Sequence, residues 1–197
     1  MLPIVQAPQP VLAQPAKKIA KIDREIRTLI SEMTETLLKA KDPEGVGLAA
    51  PQVGKALQLF IIKESPTDLL LIFINPKIGF PKGAKTETVD TVDAITEDMG
   101  KQKKSSGKKE VKLEGCLSLQ DIWGIVNRYP KVQVTYQDET GATQTKLFGG
   151  FLATIIQHEY DHLQGILFPR RVLEQKGNLY KSVKNSKGEL EFEELPI

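Results

Sequence analysis

Gln157-His158-Glu159-Tyr160-Asp161-His162 contains the chain's only two histidines, four residues apart, with a glutamate directly after the first. Positions four apart share one face of an α-helix, so both imidazoles can reach one metal ion while Glu159 stands beside it as a general base. Around this stretch Phe151, Leu152, Ile155 and Ile156 recur as on a packed helix, which the pattern predicts near Gly150 to Leu163. Gly149 and Gly150 mark its entry and Gly165 its exit. The plainer alternative is a pair of helical histidines that merely pack or face solvent. Residues elsewhere in the chain decide between the two.

A catalytic zinc-type site takes three protein ligands and keeps one position open for water. The single cysteine, Cys116, lies in Glu114-Gly115-Cys116-Leu117-Ser118 and is the candidate third ligand. A lone cysteine is more often a small buried hydrophobe, so its neighbours matter. Further upstream, Gly45-Val46-Gly47-Leu48-Ala49-Ala50-Pro51-Gln52 lets backbone approach a ligand closely and ends in an amide that can donate hydrogen bonds. It lacks the spacing of either phosphate-binding glycine pattern.

Together and in this order, the three segments resemble the peptide deformylase family. That family carries G-x-G-x-A-A-x-Q, E-G-C-L-S and Q-H-E-x-D-H, which stand complete at Gly45 to Gln52, Glu114 to Ser118 and Gln157 to His162. The likeness extends to Ile22-Asp23-Arg24-Glu25-Ile26 and to Leu163-Gln164-Gly165, covering roughly residues 1 to 170 apart from a stretch inserted before Cys116. It implies an α+β fold, antiparallel β-sheets around a central metal-binding α-helix, with an N-terminal amphipathic helix. Periodicity alone gives only mixed α and β.

The resemblance also implies the chemistry. Cys116, His158 and His162 would hold one divalent metal ion, characteristically Fe(II) and replaceable by Zn, Ni or Co, which acidifies water. Glu159 would shuttle the proton, while the side-chain amide of Gln52 and the backbone N–H of Leu117 stabilise the oxyanion, each by ~3 kcal/mol. The substrate implied is an N-formyl-methionyl nascent peptide, cleaved to formate and a free N-terminus. Gly47 would hydrogen-bond the peptide, and Val46, Glu114, Phe151, Thr154 and Ile155 would line the methionine pocket. Thr154 puts a hydroxyl where an aliphatic residue is usual. Glu114 and Arg128 follow the family pattern as a pair bracing the cysteine loop, against the bland reading of two solvated charges. The chain departs from many relatives in carrying Leu119-Gln120 instead of Val-Pro and Trp123 where an arginine soon follows. That changes how substrate beyond the methionine is held; Trp123 is placed near the cleft rim.

Two rival readings are weaker. A zinc peptidase shares H-E-x-x-H, and Gly165 continues the longer peptidase pattern, but Phe168 stands where that pattern needs a third histidine. A glutamate ligand at Glu174 or Glu189 would leave Cys116 and Gln52 without a role. A non-catalytic module that docks on ribosomes would usually have lost a ligand, Gln52 or Glu159.

The bulk properties fit one catalytic domain over residues 1–197, long enough to bury a core without disulfides. One cysteine allows no internal disulfide and favours the cytoplasm. The net charge of +2 says little about partners, and neither DNA nor membrane is expected. Met1 to Pro15 lacks a basic start and is broken by four prolines, so it does not read as a signal peptide. The longest apolar run, Leu69 to Ile74, is too short for a bilayer and reads as a buried strand.

Ile19, Ile22, Ile26, Leu29, Ile30, Met33, Leu37 and Leu38 predict an amphipathic helix with Asp23 as N-cap and Pro43 as stop. Strands are predicted at Leu57 to Lys63 and Leu69 to Asn75 around the turn residues Ser65, Pro66 and Asp68. A hairpin is predicted from Lys131 to Gln137 and Thr143 to Phe148. At the C-terminus Leu179 to Asn185 and Glu189 to Glu194 flank Ser186-Lys187-Gly188 as a second hairpin, not a terminal helix. The polar insertion near 82–110 ends in a lysine-rich run and reads as a flexible loop whose basic end could make transient contact with the ribosome.

Overall fold

The structure is a computed structural model that describes residues 1–40, 45–65, 67–81, 85–86, 113–185 and 190–196. Helix α1 (Arg24–Lys39) begins where predicted, because the Asp23 side chain accepts the Ile26 N–H at 3.1 Å. Glu25 in the first turn and Lys39 in the last both complement the helix dipole. Its apolar stripe is Leu29, Ile30, Met33 and Leu37, all buried. Ile19 and Ile22, expected to open this helix, precede the cap instead. The Asn75 amide holds Ile19 ahead of the helix, accepting its N–H and donating to its carbonyl at 2.8 Å each. Pro43, expected to stop the helix, lies outside the described residues.

Nine strands follow among the described residues: β1 (Gly47–Ala49), β2 (Leu59–Ile62), β3 (Leu71–Gly79), β4 (Glu114–Cys116), β5 (Leu119–Gly124), β6 (Lys131–Gln137), β7 (Thr143–Gly149), β8 (Leu179–Lys184) and β9 (Leu190–Glu194). Every strand pairing is antiparallel. One sheet runs in the order β1-β2-β3-β6-β7 and the other β4-β5-β8-β9. Helix α2 (Gly150–Leu163) leads from β7 across the first sheet, and the short α3 (Phe168–Glu174) packs on the second.

The unbroken apolar run of β2 has a plain cause. Side chains alternate between the two faces of a strand, and both faces here are covered. Phe60 and Ile62 join the core made with Ala153, Ile155, Ile156 and Leu163 of α2. Leu59 and Ile61 join the core made with Leu29, Ile30, Met33 and Leu37 of α1. The first sheet is thus a layer between two helices. A third cluster, Cys116, Val126, Phe168 and Val172, joins α3 to the second sheet.

The predicted hairpin β6–β7 pairs from Lys131↔Gly149 to Gln137↔Thr143. The C-terminal hairpin also forms, from Tyr180↔Glu194 to Lys184↔Leu190. Its turn residues, Ser186 to Gly188, and Glu189 lie outside the described residues. One boundary is corrected: β3 starts at Leu71, and Leu69, expected in a buried strand, is 86% exposed beyond the strand end, where no element covers it. The polar insertion lies outside the described residues except for Lys85 and Thr86, and Pro66 lies outside them too. Among the described residues no helix is long and apolar enough to cross a membrane.

Candidate metal centre and substrate cleft

Helix α2 presents His158, Glu159 and His162, and β4 delivers Cys116 at its end, where pairing with β5 shifts register after Gly115. The Cys116 Sγ lies 3.3 Å from His162 Nε2. Sulfur and one nitrogen from each histidine all fall within 4.8 Å of one another. His162 and Cys116 are buried, at 1% and 3% exposure.

The donor set fits a divalent transition metal on three observations. One cysteine sulfur and two imidazole nitrogens converge, a combination suited to Fe, Co, Ni or Zn. The second nitrogen of His158 is already engaged, its Nδ1 lying 3.1 Å from Glu114 Oε2, which leaves Nε2 to face the sulfur side. Finally, Glu159 Oε2 is buried with no hydrogen-bond partner among the described residues, an orphan that a water beside a cation would satisfy. Burial pushes the Glu159 carboxyl up to about 7, partly opposed by the charge of His158. Burial, followed by the charge of His158, pushes His162 well below the ordinary imidazole value and keeps it a neutral donor.

Gln52 sits in the 3-10 turn Ala50–Val53 that follows β1. Its Oε1 accepts the Ala49 N–H at 2.8 Å, which turns the amide nitrogen toward the site, 3.5 Å from Cys116 Sγ. Gly47 is required by close approach: a Cβ built there would overlap the Glu159 carboxylate. An apolar cleft of about 250 Å³ opens over these groups. Val46, Gly47, Gln52, Glu114, Cys116, Leu117, Phe151, Thr154, Ile155, His158 and Glu159 all line it. Of the catalytic, binding and metal residues expected from the sequence, only His162 lies behind the lining. Leu113 and Trp123 line it as well. Trp123 reaches the cleft because it pairs with Gly115, where an added Cβ would meet the indole at 2.7 Å.

The sequence matches the family described as Polypeptide deformylase over residues 1–178. The chain belongs to that family. Deformylases remove N-formyl groups from nascent peptides and depend on a metal. The peptide deformylase of Synechocystis sp. is 39% identical over 165 residues, spanning 82% of this chain and 74% of that one. That of Christiangramia forsetii is 34% identical over 210 residues, 98% of this chain and 93% of the relative. Among solved structures, peptide deformylase from Thermus thermophilus superposes with a TM-score of 0.69 at 32% identity, over 89% of this chain and 88% of that one.

Two features of the deformylase site escaped sequence reasoning. Arg128 forms the expected fork on Glu114, with Nε and Nη2 at 2.9 and 3.0 Å from its two oxygens, but it also donates Nη1 to Asp161 at 2.7 Å. The N-terminal segment laces the first two motifs together. Val5 N–H donates to the Gln52 carbonyl at 2.8 Å, the Gln6 amide to the Leu117 carbonyl at 3.0 Å, and Ala7 N–H to the Ser118 carbonyl at 3.0 Å. Neither carries a spacing signal, since both depend on segments distant in sequence.

Proposed function

We propose that residues 1–197 form a single catalytic domain that hydrolyses the formamide of N-formyl-methionyl nascent peptides through Cys116, His158, His162, Glu159, Gln52 and Leu117, releasing formate. The observation that carries this reading is the convergence of three metal-capable atoms within 4.8 Å beneath a cleft lined by Glu159 and Gln52. Cys116, His158 and His162 would hold a divalent cation, Fe(II) by the family's habit, which lowers the pKa of water toward neutrality.

Each residue then has a task. Glu159, in the cleft wall with one unpartnered oxygen, accepts the proton of the attacking water and returns it to the departing amine. The Gln52 amide, aimed by Ala49, and the Leu117 N–H donate to the oxyanion that grows on the formyl oxygen. Gly47 offers backbone hydrogen bonds to the peptide in a strand-like arrangement. The methionine side chain packs against Val46, Phe151, Thr154, Ile155 and the stem of Glu114. Among the described residues nothing comparable supports a peptidase. Glu174, a candidate glutamate ligand, is engaged with Arg170 and Arg171 at 2.9 and 3.0 Å on the surface.

The cytoplasm is the proposed compartment, because a site built on a single free thiolate needs reducing conditions. The lysine-rich run 101–109 is proposed to touch ribosomal RNA transiently. Metal analysis of protein prepared without oxygen, joined to formate release from a formyl-methionyl tripeptide, tests the reading. One equivalent of Fe and release of formate are expected. Cleavage of internal peptide bonds, or formate release unchanged after full metal removal, would overturn it.

A further inference from the structure

Two buried carboxylates, Glu114 and Asp161, flank one buried guanidinium, Arg128; their side chains are 9%, 8% and 9% exposed. Arg128 alone cannot neutralise both. The second cation comes from α3: Arg171 donates Nη2 to Asp161 Oδ1 at 2.7 Å and Nε to Asp161 Oδ2 at 3.1 Å, a two-point clasp. Arg171 is itself anchored by Glu174, Nη1 to Oε2 at 3.0 Å, and is 32% exposed. The contacts form an unbroken series from the surface of α3 to the metal-capable cluster: Glu174, Arg171, Asp161, Arg128, Glu114 and His158 Nδ1.

We infer that Arg171 is a positioning residue for the metal centre, acting through Asp161 and Arg128 to hold Glu114 on His158. Three features point to it. Asp161 is on α2 between His158 and His162, so whatever fixes its carboxylate fixes that turn of the helix. Asp161 Oδ2 accepts from both arginines, so removing Arg171 leaves the carboxylate to draw Arg128 more strongly. Arg128 is one rigid plane serving both carboxylates, Nε and Nη2 on Glu114 and Nη1 on Asp161, so a shift toward Asp161 turns the fork away from Glu114, the group that orients the His158 ring. Lysine would keep the charge but lose the two-point geometry.

This inference rests on the proposed Cys116–His158–His162 metal site. The test measures Co(II) affinity by chelator competition, the Co(II)–thiolate absorption band, and the melting temperature of the metal-free protein, for wild type, Arg171→Gln, Arg171→Lys and Glu174→Gln. Arg171→Gln is expected to weaken Co(II) binding by about tenfold or more, in the range measured when groups orienting a ligand are removed, and to alter the thiolate band. Arg171→Lys should fall between it and wild type. Glu174→Gln should stay within about twofold of wild type, because the Asp161 clasp survives. A lowered melting temperature with unchanged Co(II) affinity and spectrum in Arg171→Gln would make Arg171 a purely structural tie and overturn the inference. Should Arg171→Gln fail to fold, wild-type affinity in Arg171→Lys would overturn it equally. Failure of the metal site itself looks different: the wild type would then show no thiolate band.

Discussion

Glu159 is the residue on which the chemistry turns. It is not among the three convergent donors, it lines the cleft, and its Oε2 has no hydrogen-bond partner among the described residues. Glu159→Gln is therefore expected to keep the metal while lowering formate release by ~10²–10⁴-fold, the usual contribution of a general base. Metal stoichiometry alongside single-substrate kinetics checks it, and near wild-type turnover would remove Glu159 from its role. The same carboxyl makes a pH prediction for the metal-free protein. Burial raises it to about 7, above the 4.5 of an unburied glutamate. Its contribution is thus most favourable below pH 4.5 and is lost as pH rises through about 7. Metal-free Glu159→Gln should be the more stable protein at pH 8, by a few kcal/mol, with the advantage gone at pH 4 in urea titrations. Cys116 offers the complementary experiment. Cys116→Ala should empty or distort the site, whereas Cys116→Ser should weaken it, and full metal occupancy with unchanged kinetics in the alanine variant would make the cysteine a mere hydrophobe.

At the scale of elements, the site exists because β1 and α2 come unusually close at Gly47. Gly47→Ala places a methyl within 3 Å of Glu159 Cγ and Cδ as well as its carboxylate, so this buried side chain must shift while the three convergent donors are left untouched. The variant should therefore fold and bind metal, yet lose activity on the order of 100-fold as the base is displaced. Metal content and formate release measured on the same sample decide this, and activity within twofold of wild type would contradict it. Elements with strong period were legible in the sequence: α2 and the β6–β7 hairpin match their predicted spans closely, and Asp23 marked the start of α1. Some of the elements that were not legible are too short to show a period. β4 has three residues and α3 seven, lengths at which neither the two-residue nor the 3.6-residue period is visible. Ile19 misled because its apolar spacing continued that of the helix, while its actual partner, Asn75, is a tertiary contact 56 residues away. The cleft-lining residues were legible only as motifs. Arg171 and the N-terminal lacing were not, because long-range ion pairs and backbone bonds leave no local pattern.

Across the whole molecule, the ion pairs do more than orient one histidine. Glu114 belongs to the second sheet, whereas His158 and Asp161 lie on α2, which packs on the first, so the Arg128 fork is a seam between the two layers. Burial alone would raise the Glu114 carboxyl, yet the Arg128 charge and fork hold it down at about 2. The sign of the linkage follows. A carboxyl depressed in the folded state contributes stability that is present above its unfolded value of 4.5 and is lost as pH falls through about 2. Removing the charge while leaving Arg128 buried should cost roughly 3–5 kcal/mol at neutral pH, as breaking one side of a buried pair usually does. Urea unfolding of metal-free wild type and Glu114→Gln across a pH series therefore has a defined shape. The gap between them should be wide and constant above pH 4.5 and should close steadily toward pH 2, because there the wild-type carboxyl is protonated too. Curves that stay parallel down to pH 2 would mean that the seam is held by packing around Cys116 and Phe168 and not by the charges.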